Sequence, residues 1–225
     1  MPRTIAIGDI HGCLAALNAL LEAIQPTQAD TIVTVGDYID RGPDSRGVLD
    51  RLLQLEQSTN LVALLGNHEE MFISILDRQM EPYSWLNHGG VETMDSYGFS
   101  GDLACVPQSH RDFLKRMGDF YENDTHFIVH ANYDPNLPLN DQPPDLLRWV
   151  KISNSLPGPH LSGKKAVLGH THDRQGEIFD IPHLVCIDTY CYGGKWLTAL
   201  ELETGKIWQA NPEGVMRDDV DSATL

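Results

Sequence analysis

Basic residues are scarce in this 225-residue chain. Sixteen lysines and arginines stand against 32 aspartates and glutamates, for a net charge of −16. A surface that grips nucleic acid needs clustered lysine and arginine, so nucleic acid is not expected as a partner. The negative excess is dispersed and reads as a solvated surface, part of which bound cations could neutralise. Long apolar runs are also missing: none approaches the roughly 20 residues of a membrane span, so no membrane partner is expected. Met1-Pro2-Arg3-Thr4 leads directly into a strand-like segment, with no secretory leader in view. Cysteine is sparse, and Cys13, Cys105, Cys186 and Cys191 form no CxxC pair or zinc-knuckle spacing. A reduced, cytoplasmic chain follows as the expectation. Internal repeats and low-complexity linkers are absent, which favours one domain over residues 1–216 and an acidic, frayed tail over 217–225.

What is present alternates. Thr4–Ile7 reads as a strand, Cys13–Ile24 as a helix, Thr31–Val35 as a strand, Ser45–Glu56 as a helix and Leu61–Leu65 as an interior strand. That order is the pattern of parallel βαβ units. The middle reads as helical over 69–78, 83–96 and 108–117, followed by a strand at 126–130 and a short helix near 145–151. The last third reads as strands at 166–168, 184–187, 197–203 and 206–209.

Chemistry collects where strands end. The first is followed by Gly8-Asp9-Ile10-His11-Gly12, the second by Gly36-Asp37-Tyr38-Ile39-Asp40-Arg41-Gly42, and the third by Gly66-Asn67-His68-Glu69. Later strands end at His130 and at Gly169-His170-Thr171-His172. Each string alone is an ordinary polar turn. Together they bring Asp, His and Asn to one rim, beyond the carboxyl ends of strands, where open α/β sheets bind ligands. Carboxylates, imidazoles and an amide oxygen suit manganese, iron or zinc as divalent ions. Two such ions about 3.5–4 Å apart can clamp a phosphoryl group and supply a hydroxide nucleophile near neutral pH.

The strings GDIHG, GDYIDRG and GNHE resemble the signature blocks of the phosphoprotein phosphatases, within the calcineurin-like metallophosphoesterases. The stretches 85–98, 127–139 and 187–202 resemble the bacterial branch of that family. The resemblance implies an α/β fold of two mixed β-sheets packed as a sandwich and flanked by helices. It implies two metal ions, manganese first, with iron or zinc as options. Asp9 and His11 would hold one ion, Asp37 would bridge both, and Asn67, His130 and His170 would complete the second. His68, oriented by Asp40, would protonate the leaving oxygen, a metal-bridging hydroxide would attack, and Arg41 would bind a phosphate oxygen.

Three positions depart from that pattern. Leu65 stands where the family usually has arginine. Lys151 occupies the place of a second phosphate-binding arginine, with Arg148 just before the tryptophan. His172 adds a second histidine after His170, and the wider superfamily uses such a residue as a ligand of the first ion. The leading expectation is therefore a serine/threonine protein phosphatase acting on a phosphorylated protein. The first alternative is a hydrolase of dinucleoside polyphosphates or other small phosphate esters. A non-catalytic metal-binding scaffold is the second, opposed by the His68–Asp40 pair, because a scaffold needs no acid. Glu69 and Glu70 read as helix-opening acids that favour the dipole, the four tryptophans as packing, and Tyr38 as either packing or the mouth of the site.

Overall fold

A computed structural model describes residues 2–218. The tail expected from residue 217 lies outside the described residues, apart from Arg217 and Asp218. The chain forms strands β1 (Thr4–Ile7), β2 (Thr31–Thr34), β3 (Asn60–Ala63), β4 (Phe120–Glu122), β5 (His126–Val129), β6 (Lys165–Leu168), β7 (Phe179–Ile181), β8 (Leu184–Cys186), β9 (Leu197–Glu201) and β10 (Ile207–Ala210). The helices are α1 (Leu14–Ile24), α2 (Ser45–Glu56), α3 (Asn67–Leu76), α4 (Tyr83–Trp85), α5 (Val91–Ser96), α6 (Gln108–Lys115) and α7 (Pro144–Trp149). One sheet runs β10-β9-β1-β2-β3 and the other β4-β5-β6-β8-β7. Each is mixed: β1, β2 and β3 are parallel in the first sheet, with β9 antiparallel to β1 and β10 antiparallel to β9, and β5, β6 and β8 are parallel in the second, with β4 and β7 antiparallel at its edges.

Ala6, Val33, Val35, Leu64, Ile128, Val167, Val185 and Ile187 fill the space between the sheets. The outer face of the first sheet packs on helices through Leu17, Leu20, Val48, Leu52 and Phe72. Beyond the second sheet, Phe127, Val129, Leu168 and Leu184 meet Tyr133, Leu139, Leu147 and Ile152. Apolar residues on both strand faces bury both sides of a sheet, which is why these strands read as short continuous apolar runs. No helix among the described residues is long and apolar enough to cross a membrane.

The strands expected from the sequence are present, with ends moved by a residue or two. β4 and β7, each three residues long, were not expected, because so short a segment carries too little alternation to register. The expectation that β3 lies in the interior fails: it is the edge strand of its sheet, exposed or half-buried along its length. Its apolar residues are partly covered by neighbouring packing instead of being enclosed. The helical stretch 83–96 is broken by a π turn at Leu86–Gly90, where Gly89 adopts φ 105°.

Candidate metal centre

The two parallel triplets point their carboxyl ends the same way, and the polar strings collect there. Asp9 and His11 follow β1, Asp37 follows β2, Asn67 and His68 open α3 after β3, His130 follows β5 and His170 follows β6. All but His170 are buried. Among the described residues, six of the eight non-glycine positions with positive φ cluster here: His11, Asp37, Asp40, Arg41, His170 and Tyr190. Such backbone costs about 1–3 kcal/mol per residue and persists only where the surroundings fix it.

Glu69 supplies part of that fixing. Its Oε2 accepts the Asp37 N–H at 2.8 Å and the Gly66 N–H at 3.2 Å, and its Oε1 accepts those of Tyr38 at 2.8 Å and Ile39 at 3.2 Å. One buried carboxylate thus ties the loop after β2 to the start of α3. A Cβ on Gly66 would lie 2.3 Å from Asp37 Oδ1, so only glycine admits this approach. Glu69 is therefore far more than a helix-opening acid. The final glutamate of GNHE marks it in the sequence, at the helix position from which a carboxylate reaches back to the cap.

The ligand atoms of His11, Asp37 and His68 lie within 4.8 Å of one another, and so do those of Asp37, His130 and His170. Asp37 belongs to both groups. Backbone carbonyls set the imidazole tautomers, since a carbonyl can only accept. His11 Nδ1 donates to Ile39 O at 2.8 Å and His130 Nδ1 to Val35 O at 3.0 Å, leaving both Nε2 lone pairs on the centre. His170 donates through Nε2 to Trp149 O at 3.1 Å, leaving Nδ1. The His130 lone pair then faces Asn67 Oδ1 at 3.1 Å and Asp37 Oδ1 at 3.4 Å, acceptor against acceptor. Asp9 Oδ1 is buried without a hydrogen-bond partner, while Oδ2 accepts the His170 N–H at 2.9 Å. Facing lone pairs and an orphaned carboxylate oxygen are what a divalent cation satisfies, so the donor set fits two such ions.

The electrostatics agree. Burial, with Asp188 and Asp37 beside it, pushes the Asp9 carboxyl well above the usual range. Burial would raise Asp37 as well, but the imidazoles of His130, His68 and His11 hold it below that range. Burial lowers His11 and His130, and takes His170 down to about 3 with His130 adding to the effect. A lowered pKa disfavours the charged ring, and a ligand must be neutral.

His68 differs. Its Nδ1 meets Asp40 Oδ2 at 2.6 Å, and its Nε2 lies 3.9 Å from Asp37 Oδ2. Burial opposes its charged form, but Asp37 and Asp40 outweigh that and raise its pKa. Trp85 Nε1 donates to the same Asp40 oxygen at 2.8 Å, and Thr93 Oγ1 donates to the other at 2.6 Å. Trp85 is thus both packing and part of the cradle. Tyr38, in contrast, is buried, with its hydroxyl donating to Leu64 O at 2.6 Å, so it stands in packing and not at the mouth.

The cations lie around this centre. Arg41 Nη1 donates to His11 Nε2 at 3.3 Å, and its guanidinium sits 4.5 Å over the Tyr192 ring. Arg148 is engaged by Glu70 at 2.6 Å and by Asp119, and Glu70 also accepts from Trp149 Nε1 at 2.6 Å. Glu70, expected to do nothing beyond favouring the dipole, is an anchor for these two residues. Lys151 is half-buried, and after burial its charge adds to the lowering of the His170 and His172 pKa values. His172 stacks on Tyr190 at 4.5 Å. After burial, the charges acting on it most are Lys151, Arg41 and Arg174, which leave it at about 4.

Asp188 escaped the sequence reading. It follows β8, the third parallel strand of the second sheet, is buried, and is pushed up to about 7 by burial, with Asp37 adding to the effect. The signal was available, because Asp188 sits after a strand just as Asp9 and Asp37 do.

A family model described as calcineurin-like phosphoesterase matches residues 2–211. The "Serine/threonine-protein phosphatase 1" of Salmonella typhimurium is 44% identical over 56% of this chain, a match spanning only 57% of that protein. The symmetrical bis(5'-nucleosyl)-tetraphosphatase of Cellvibrio japonicus is 44% identical over 92% of this chain and 97% of its own length. A crystal structure described as that of a candidate diadenosine tetraphosphatase aligns with TM-score 0.70 at 24% identity, covering 93% of this chain and 95% of that one. The chain belongs to the calcineurin-like phosphoesterase family and is a metallophosphoesterase.

Proposed function

We propose that this chain hydrolyses small phosphoanhydrides and phosphate esters, dinucleoside polyphosphates foremost, with His68 as general acid. The observation that carries the proposal is the buried pair His68 Nδ1–Asp40 Oδ2 at 2.6 Å, whose outward nitrogen faces Asp37, the carboxylate common to both donor groups. In this reading Asp9, His11 and Asp37 hold one divalent ion, and Asp37, Asn67, His130 and His170 hold the other. The mixed oxygen and nitrogen donors suit manganese, iron or zinc, and the family resemblance puts manganese first. Ions bound there supply Lewis acidity and acidify water.

His68 is assigned to the substrate because Asp40 fixes its Nδ1 proton and leaves Nε2 to carry a second one. The neighbouring carboxylates keep that proton on the ring until a leaving oxygen takes it. Trp85 and Thr93 hold Asp40 so that the imidazole cannot turn away. In this reading Arg41 and Lys151 would contact phosphate oxygens. Arg148, with its fork already held by two acids, sets the position of α7 and retains only Nε–H without a partner.

The nearly full-length likeness to a tetraphosphatase supports the nucleotide substrate. The likeness of the Salmonella phosphatase supports a second reading, hydrolysis of phosphoserine or phosphothreonine in proteins. Metal analysis combined with turnover on an aryl phosphate, a phosphopeptide and a dinucleoside tetraphosphate separates them. The expected result is about two ions per chain and highest kcat/KM on the dinucleotide. Preference for the phosphopeptide would install the second reading, and absence of turnover on all three would remove both.

A further inference from the structure

The centre has an aromatic border that neither metal binding nor acid catalysis uses. From His11 the rings step outward: Tyr192 meets His11 edge-on at 4.7 Å, Tyr190 meets Tyr192 edge-on at 4.7 Å, and His172 stacks on Tyr190 at 4.5 Å, only 17° from parallel. These rings are half-exposed, except for His11. Tyr190 and Tyr192 sit on an ordered turn: Tyr190 N–H donates to Asp188 Oδ1 at 3.2 Å, and Tyr190 O accepts the Lys195 N–H at 3.2 Å. Tyr190 itself has φ 62°, an unfavourable conformation for an aromatic residue. A Cβ on Gly193 would lie 2.0 Å from the Tyr190 ring, so glycine is what lets the ring lie down over the turn. Strain held in place by neighbours, on a half-exposed aromatic beside the donor groups, is typical of functional sites.

Charge distinguishes this border from the rest of the surface. In a chain of net charge −16, the Arg41 guanidinium lies directly over the Tyr192 ring. A ligand fitting both features has a planar ring at one end and several negative charges between that ring and the metals. Every nucleobase offers a π-face, and stacking on an aromatic ring is tolerant of base identity.

We propose that the Tyr190–His172 stack, with Tyr192 and Arg41 beside it, is the platform on which the base of a nucleoside polyphosphate rests while its phosphates reach the metal centre. This rests on the nucleotide reading above and gives it residues. It also gives His172 a role at the border instead of at the first ion. Tyr190 and His172 are then specificity residues, favouring nucleotides over phosphates without a ring.

Binding of two inert probes tests this apart from turnover. Adenosine and ribose 5'-triphosphate analogues, with CH2 in place of both bridging anhydride oxygens, are titrated into the manganese-loaded full chain. The wild type is expected to bind the adenosine compound about tenfold more tightly, the order of effect of one stacked base. Tyr190→Leu and His172→Leu should each bring the ratio toward one, and Tyr190→Phe should restore it. A wild-type ratio near one, or an unchanged ratio in either leucine variant with a wild-type melting temperature, would overturn the platform. Should Tyr190→Leu fail to fold, His172→Leu decides. Turnover of the dinucleotide with a ratio near one leaves the substrate reading standing and overturns the platform. A high ratio lost in the leucine variants, without dinucleotide turnover, does the reverse.

Discussion

The two ends of the sandwich handle charge in opposite ways. At the amino ends of β1 and β2, acids have cations and N–H groups in place. Asp30 accepts from Arg3 Nη2 at 2.7 Å, Arg3 Nε at 3.1 Å and the Thr27 N–H at 2.9 Å, while Glu203 accepts the Thr4 N–H. Lys165 pairs with Asp180 at 2.6 Å across the second sheet. At the carboxyl ends, Asp9, Asp37, Asp188 and Glu69 are buried close together, and burial and mutual repulsion push three of them upward. Non-glycine residues with positive φ gather at that end as well. One end stabilises the fold; the other holds a charge arrangement that only cations complete.

The largest break in this contrast is expected from the residue shared by both donor groups. Asp37→Asn should abolish binding of both ions and lower turnover by a factor of ~10³ or more, since metal charge stabilisation is worth several kcal/mol. Metal analysis and kcat on an aryl phosphate check it, and full metal stoichiometry in the variant would end the bridging role. His68→Asn should keep both ions yet lose about 10²–10⁴ in kcat, the range of a positioned general acid. A larger loss on substrates with poor leaving groups than on aryl phosphates is the distinguishing readout. Loss of metal in this variant would instead make His68 a ligand, which its place beside His11 and Asp37 also permits.

Much of this contrast is written in the sequence, for a physical reason. A strand that must end at a charged centre stops abruptly, and apolar runs breaking at Gly-Asp and Gly-Asn-His-Glu are visible without coordinates. Alternating βαβ order brought the strand ends to one rim and gave the sheet pairing of β1, β2 and β3. Residues that act through others were not legible. Glu69 stands at the capping position of its helix, but its reach to the backbone of the loop after β2 shows only in the structure. Trp85 reads as packing because its indole body is buried, while its N–H serves Asp40. Tyr190 gains its place through φ, and φ has no signature in one sequence. The edge position of β3 was hidden too, since an apolar run does not say what covers it.

Glu69 offers a break of intermediate size. Glu69→Gln replaces one acceptor oxygen by an NH2 that must face the backbone N–H groups now satisfied by the carboxylate. Metal affinity should weaken about 10–100-fold, the usual effect of a group that orients ligands. In the wild type, adding Mn²⁺ to about a hundred times its dissociation constant should stabilise the fold by ~2.7 kcal/mol. For a chain of this size that raises Tm by about 5–10 °C. Thermal melts with and without metal check both, and an equal shift in Glu69→Gln at limiting metal would show that the loop holds its shape without that carboxylate.

The smallest effect belongs to the other end, and there the metal should be irrelevant. The Arg3 guanidinium, with the Thr27 N–H adding to it and outweighing burial, holds the Asp30 carboxyl well below the usual carboxylate range. A depressed folded-state pKa adds stability that is fully present above the unfolded value of about 3.9 and is lost as pH falls through the folded value. Asp30→Asn should therefore cost about 2 kcal/mol at pH 7, the worth of hydrogen bonds to a charged group. Its penalty should begin to shrink below about pH 4, and the two melting temperatures should approach each other as acid protonates the wild-type carboxylate. The Mn²⁺-induced rise in Tm should be the same in both proteins. A smaller rise in Asp30→Asn would mean that the paired end supports the metal end through the sheet, and that the two ends are not independent.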